Sequence, residues 1–482
     1  MTPTGPGRVD DRLGDAIERV VRSHHRRRLA RIGQGRAFAQ NTGGWAETGA
    51  FKPREGVTAE LLVDGAEALP RIASEIESSR SHVHVAGWTF TPGFPLGDGG
   101  PILGELLADT AERVPVRVLA WAGAPIPLFH PDRGEVRAMR DELVGGSRIE
   151  ARLDAKERPM HCHHEKLVIV DDRVAFVGGI DLTSFAGNRL DHSHHRPRGS
   201  MGWHDACVRL EGPIVADVAE HFRLRWRETG GTVDDTSAGA ASPGSGVEAQ
   251  LVRTVPEHIY DGLPRGEFTI LESYLRALRE AERLVYLESQ FLWSSEVVSI
   301  LADKLRRPPS DAFRLVVLLP ARPNNGADDT RGQLGVLVNA DKESGDATSR
   351  FLACTLYQPG RGGRPVYVHA KIGIVDDRWL TVGSANLNEH SFFNDTEMNV
   401  VVRDEKLARA ARLRLWSEHL ERDDVEGDAT QLVDEVWRPL AEEQLERRRK
   451  DGWAPHRLTL LPHVSRRVNA IWGPLNGLIV DG

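Results

Sequence analysis

Two histidine–lysine pairs carry the chemistry that this sequence offers. His164 and Lys166 stand in HHEKLVIVDDRVAFVGGIDL, which starts at His163, and His369 and Lys371 stand in VHAKIGIVDDRWLTVGSANL, which starts at Val368. Aligned without gaps, His164 falls on His369, Lys166 on Lys371, Asp171 on Asp376, Gly178 on Gly383 and Asp181 on Asn386. Side chains alternate along a strand, so His-x-Lys sets an imidazole and an ammonium on one face. Two such pairs facing one another make a positive cage whose N–H donors suit the oxygens of a phosphodiester.

A neutral imidazole can attack phosphorus while a protonated one gives its proton to the departing alcohol, because the imidazole pKa lies near neutrality. The lysines then hold the charge that a divalent metal holds elsewhere. This chemistry predicts a covalent phosphohistidine, two displacements with net retention at phosphorus, and a bell-shaped pH profile. Such a histidine needs an acceptor on its other ring nitrogen. Aligning WHDACVRLEG with NDTEMNVVVRD offers one carboxylate in each half, Asp205 for His164 and Glu397 for His369.

The elements that must hold these residues repeat as well. ALPRIASEIESSRSHVHVAGWTF and ILESYLRALREAERLVYLESQFL each read as a helix running into a strand. VPVRVLAW and FRLVVLLP are short runs suited to strands buried on both faces. Each motif reads as strand, turn and strand, and GPIVADVAEHFRLRWRE and EKLARAARLRLWSEHLE close the halves with helices. The expected fold is α/β: two similar halves, each a mixed sheet flanked by helices, packed pseudo-symmetrically with the site between them. A chain of 482 residues has room for two domains of common size. The expected divisions are an N-terminal basic helical segment (1–55), a first half (56–228), a flexible linker (229–250), a second half (251–460) and an apolar tail (461–482). The linker is inferred from TGGTVDDTSAGAASPGSGVEAQ, dense in Gly, Ser and Asp.

H-x-K-x-x-x-x-D followed by G-G/S-x-D/N, twice in one chain, resembles the phospholipase D superfamily. GWTFTP around Trp88, HEKLVIVD, GGIDL, WHDACVRLEGP, YLESQF, YVHAKIGIVDD, VGSANLNEHS and DTEMNV resemble blocks of its eukaryotic-type branch and bacterial relatives, in order. The resemblance covers roughly residues 60 to 460. It implies hydrolysis of phospholipid head groups to phosphatidic acid, transfer of the phosphatidyl group to alcohols, and no catalytic metal or other cofactor. On this resemblance His164 is the nucleophile and His369 the general acid. Lys166, Lys371 and Asn386 contact phosphate, and Asp181, Ser384, Gln290 and Trp88 complete the substrate-binding set. Asp171 and Asp376 belong to the motif and are counted with the catalytic group, although a place at a turn suits backbone binding. Asp181 stands where other branches have Asn, and Ser289 where relatives commonly have Asn.

Net charge is −8 and no long basic stripe appears, which disfavours nucleic acid as partner. No apolar run is long enough to span a bilayer, and the N-terminus lacks the order of a secretory signal, so a cytoplasmic location with peripheral membrane contact is expected, as a monomer acting on phospholipid at the membrane surface. HCHH at 161 to 164 invites zinc, but alternation turns His161 and His163 away from His164 and no Cys or His pair lies at ligand spacing nearby, so no metal is assigned. Three cysteines suggest reduced thiols. The basic amphipathic helix of 11–32 is expected to pack on the first half, with membrane binding as its alternative. The polar loop from Asp191 to Gly199 is solvated or forms a cationic lip, and the C-terminal tail docks on the body or touches lipid. Competing functions are a cardiolipin synthase, a nuclease or other phosphodiesterase, and a non-catalytic lipid-binding scaffold.

Overall fold

The computed structural model describes residues 6–126, 130–184, 202–233, 246–323, 327–346 and 348–461. The 191–199 loop and the tail from 462 onward lie outside the described residues.

The duplication read from the motifs extends to the whole strand order. In the first half the sheet runs Glu150–Asp154, Val116–Trp121, Val83–Gly87, Lys166–Val170, Val174–Gly178, Ala206–Glu211 and Arg54–Val63. In the second it runs Phe351–Tyr357, Arg314–Leu318, Leu284–Glu288, Ile372–Val375, Trp379–Gly383, Glu397–Arg403 and Val247–Val255. In both, the first three strands are parallel and the rest antiparallel. The inner parallel strands Val83–Gly87, Val116–Trp121, Leu284–Glu288 and Arg314–Leu318 are buried along their length, matching their unbroken apolar runs, whereas Glu150–Asp154 at the edge is half-exposed.

The halves join through their backbones. Arg54–Val63 pairs with Val247–Val255, and Pro365–Val368 runs parallel to Gly202–His204. One apolar core lies between the two sheets. It combines Leu167, Ile169, Val177 and Val208 with Ile372, Ile374, Val382 and Val400, closed by Phe222 and Trp226 from the helix Ile214–Glu228 and Leu415 and Trp416 from Glu405–Leu420. Separate apolar clusters lie under the outer helices of each half.

The structure departs from two expectations. The stretch read as linker ends in structure: Val247 to Gln250 are strand, because their backbone groups complete both sheets' edges, something Gly and Ser counts could not show. The N-terminal helix Pro6–Arg31 packs on the second half, not the first. His25 Nδ1 meets Glu296 at 2.8 Å and its ring stacks on Phe393, while Arg28 donates to both oxygens of Glu257 and to Phe393 O. Among the described contacts, Arg28 is the arginine of this helix that meets a carboxylate of the second half.

Candidate active site

Each motif begins at the mouth of its sheet and is fixed at both ends. At the far end, Asp171 and Asp172, and likewise Asp376 and Asp377, take left-handed φ values of 48 to 57° in the hairpin turns. Asp171 accepts from the N–H groups of Arg80, Ser81 and His82, and Asp376 from those of Glu282, Arg283 and Leu284. Both aspartates lie a strand's length from the histidines, so their place in the catalytic set is withdrawn: they anchor the loop entering the neighbouring strand. Asp172 and Asp377 pair with Arg223 and Arg412 of the closing helices.

At the near end the backbone crosses between halves. The N–H groups of His164 and Glu165 donate to Thr396 O, and those of His369 and Ala370 donate to His204 O. The side chains cross too. His164 Nδ1 lies 3.0 and 3.2 Å from the oxygens of Glu397, and His369 Nδ1 lies 2.7 Å from Asp205 Oδ2. The sequence alignment assigned these carboxylates the other way round. Alignment gives equivalence within the repeat, whereas the twofold packing sets each histidine against the opposite half.

The positive charges converge. Lys166 Nζ donates to His164 O at 2.6 Å and lies 3.3 Å from Asp181 Oδ2; Lys371 Nζ donates to His369 O. Both histidines and both lysines are buried. His369 is held well below the ordinary imidazole pKa, first by burial and then by the charges of Lys371, Lys166 and His164. Burial likewise lowers Lys371 to about 8 and raises Asp205 to about 6. At neutral pH Asp205 is therefore ionised and accepts from a neutral His369, whose Nε2 lone pair is left for the cleft. Glu397 is pushed up to about 8 by burial, against Lys166 and the hydroxyls of Ser384 and Ser391, so it ionises after Asp205.

The small residues after each hairpin are set by these carboxylates. A Cβ on Gly179 would stand 2.2 Å from Asp205 Oδ1, so this position is closed to any side chain. The equivalent Ser384 instead donates to Glu397.

Of the proposed substrate contacts, Asn386 and Gln290 are adjacent: Asn386 Nδ2 donates to Gln290 Oε1, and Gln290 donates to Tyr367 OH at 2.9 Å. Asp181 lies beside Lys166 with its pKa raised by burial, and among the described residues its Oδ1 has no hydrogen-bond partner. Trp88 is a packing residue, stacked on Trp121 in a cluster with Ala124 and Cys162.

Sequence reasoning missed the wall beside His369. Trp203 stacks on Tyr367 with centroids 4.7 Å apart and lies 5.0 Å from the His369 ring. It also missed His204, whose ring joins Asp64 in the first half to Glu288 in the second, at 2.8 Å each, and whose pKa those carboxylates hold well above the ordinary value despite burial. WHD and YVH contain these residues, but nothing in their spacing reveals their partners.

A family model described as "Cardiolipin synthase, PLD-like domain" matches residues 274–417. Phospholipase D A of Dictyostelium discoideum is 26% identical over 473 residues, which cover 77% of this chain and 36% of that protein. The major cardiolipin synthase ClsA of Bacillus subtilis is 22% identical over 366 residues, covering 73% of this chain and 66% of that protein. The chain thus spans about a third of the length of the Dictyostelium relative. The solved phosphatidylserine synthase of Haemophilus influenzae Rd KW20 shares the fold, with a TM-score of 0.52 at 12% identity over 80% of this chain and 94% of that one.

Proposed function

The chain belongs to the phospholipase D superfamily, and we propose that it cleaves glycerophospholipid head-group phosphodiesters through a phosphohistidine, releasing phosphatidic acid. The observation that carries this reading is the convergence of two His/Lys pairs, each histidine held at Nδ1 by a carboxylate of the opposite half.

Once Glu397 has ionised and holds its Nδ1–H, His164 attacks phosphorus through Nε2. The bond from phosphorus to the head-group oxygen breaks, and that oxygen leaves with the proton from His369 Nε2. His369 then takes a proton from water, whose oxygen displaces His164 from phosphorus. Lys166, Lys371 and Asn386 hold the non-bridging oxygens. An empty cleft keeps His369 neutral, so it is the bound anion, offsetting the two lysines, that lets His369 become the acid.

The test is incubation with phosphatidylcholine vesicles and a short primary alcohol, without added metal, using His164→Asn as control. Phosphatidic acid together with the phosphatidyl alcohol, both absent from the control, is the expected result. No lipid product would overturn the reading. A second reading, a cardiolipin synthase-type phosphatidyltransferase, is favoured by the family model's description and by the Bacillus relative. Cardiolipin formed from phosphatidylglycerol faster than water-derived phosphatidic acid would select it.

A further inference from the structure

His161 and His390 come from opposite halves and turn the same ring nitrogen toward each other. Their Nδ1 atoms lie 3.0 Å apart, and Asp395 closes the group with Oδ1 3.3 Å from His161 Nδ1 and Oδ2 3.9 Å from His390 Nδ1. All three side chains are buried. One proton between the two nitrogens satisfies that contact, but among the described residues it leaves buried Asp395 Oδ2 without a hydrogen-bond partner. An ionised oxygen left in this way is costly unless a cation meets it.

The separations suit an ion. Donors about 2.0 Å from one zinc stand about 3.3 Å from each other in a tetrahedron. Here the two imidazole nitrogens stand 3.0 Å apart, Asp395 reaches one with Oδ1 at 3.3 Å and the other with Oδ2 at 3.9 Å, and one donor atom from each residue lies within 4.8 Å of the other two, so a slight closure brings all three onto one ion. Two imidazoles and a carboxylate are donors for zinc and its neighbours in the first transition row. By contrast, another buried group of the same composition is already satisfied at its carboxylate: Glu288 takes hydrogen bonds from His204, His419 and Tyr286.

We propose that His161, His390 and Asp395 bind one zinc-class dication that staples the two halves together. Three protein donors leave one tetrahedral position for water. The ion lies outside the cage but shares its backbone. His161 is three residues before His164, and Asp395 is two before Glu397. Cys162 N–H also donates to Asp395 Oδ1, and Thr396 N–H to Cys162 O. Its role is structural, holding in register the two segments that deliver His164 to Glu397. Sequence spacing could not reveal it, because His390 lies 229 residues from His161.

The experiment uses the full chain, stripped with a chelator, exchanged into metal-free buffer and titrated with Zn²⁺ or Co²⁺. Bound metal is read by elemental analysis, Co²⁺ by its visible bands and stability by thermal melting. The expected result is about one equivalent of Zn²⁺ per chain, intense bands of four-coordinate Co²⁺, and a Tm raised by several degrees. His161→Gln and His390→Gln should each abolish the bands. Where a variant fails to fold, X-ray absorption of the zinc-loaded wild type decides, two imidazoles and one carboxylate being required. A stripped protein that folds yet binds no Zn²⁺, or variants that keep the cobalt spectrum, would overturn the proposal.

Discussion

Asp205 Oδ2 stands 2.7 Å from Nδ1 of His369, a residue of the other half, while its own half's His164 is held by Glu397. This exchange is testable residue by residue. Asp205→Asn should disturb the tautomer of His369 and leave that of His164 unchanged, and Glu397→Gln should do the reverse, both read from imidazole ¹⁵N shifts. Each should lower kcat by about a thousandfold or more, as loss of an orienting carboxylate does in triad sites. A perturbation of the histidine in the same half would refute the exchange.

The pH profile follows from the buried groups. Asp205 ionises through about 6 and Glu397 through about 8, so activity rises with pH as the two acceptors become carboxylates. Lys371 loses its proton through about 8, so activity falls again above that value. In Lys371→Arg the guanidinium does not titrate, and the alkaline limb should vanish from whatever activity remains. Persistence of that limb would show that another group sets it.

Lys166→Arg should cost at least about a hundredfold in kcat/KM while leaving the Tm nearly unchanged. Lys166 is a point charge placed between His164 O and Asp181, a position that a planar fork does not fit. Wild-type turnover in this variant would remove Lys166 from the phosphate site.

Vanadate or inorganic phosphate should raise the pKa of His369 by about a unit or more, since burial and two lysines depress it in the empty cleft and an anion offsets the lysines. Titration by NMR with and without the anion reads this directly. An unmoved or lowered value would mean that His369 is not the acid.

Gly179→Ala should be damaging out of proportion to its size. Its Cβ would meet Asp205 Oδ1 at 2.2 Å, forcing the carboxylate away from His369, with overpacking costing about 1–3 kcal/mol. Melting and kcat should fall together. A neutral result would show that the hairpin can yield.

Much of this was legible because both copies of the motif share one register. His164, Lys166, His369 and Lys371 follow from the repeat, and the order of strands and helices follows from its flanks. Contacts between the halves were not legible. Alignment finds that Asp205 and Glu397 are equivalent, yet equivalence under a twofold axis means crossing over, which is why the pairing came out reversed. His204, Trp203 and Tyr367 sit in quoted blocks, but their roles depend on Glu288 and on a parallel strand pair between Gly202–His204 and Pro365–Val368. The helix Pro6–Arg31 shows a basic face in sequence, and only packing shows that Glu257 and Glu296 receive it.

The crossed carboxylates have a genealogical meaning. Two identical copies meeting on a twofold axis would each lend an acid to the other's histidine, the reciprocal contact of an isologous dimer. Joined in one chain, the lent groups are free to diverge, and here they have: one is Asp205 against a bare glycine, the other Glu397 beneath two hydroxyls. A symmetric dimer can make its histidines unlike only for the moment of reaction. A single polypeptide can encode the difference permanently, and so assign attack to one ancestor's imidazole and proton donation to the other's.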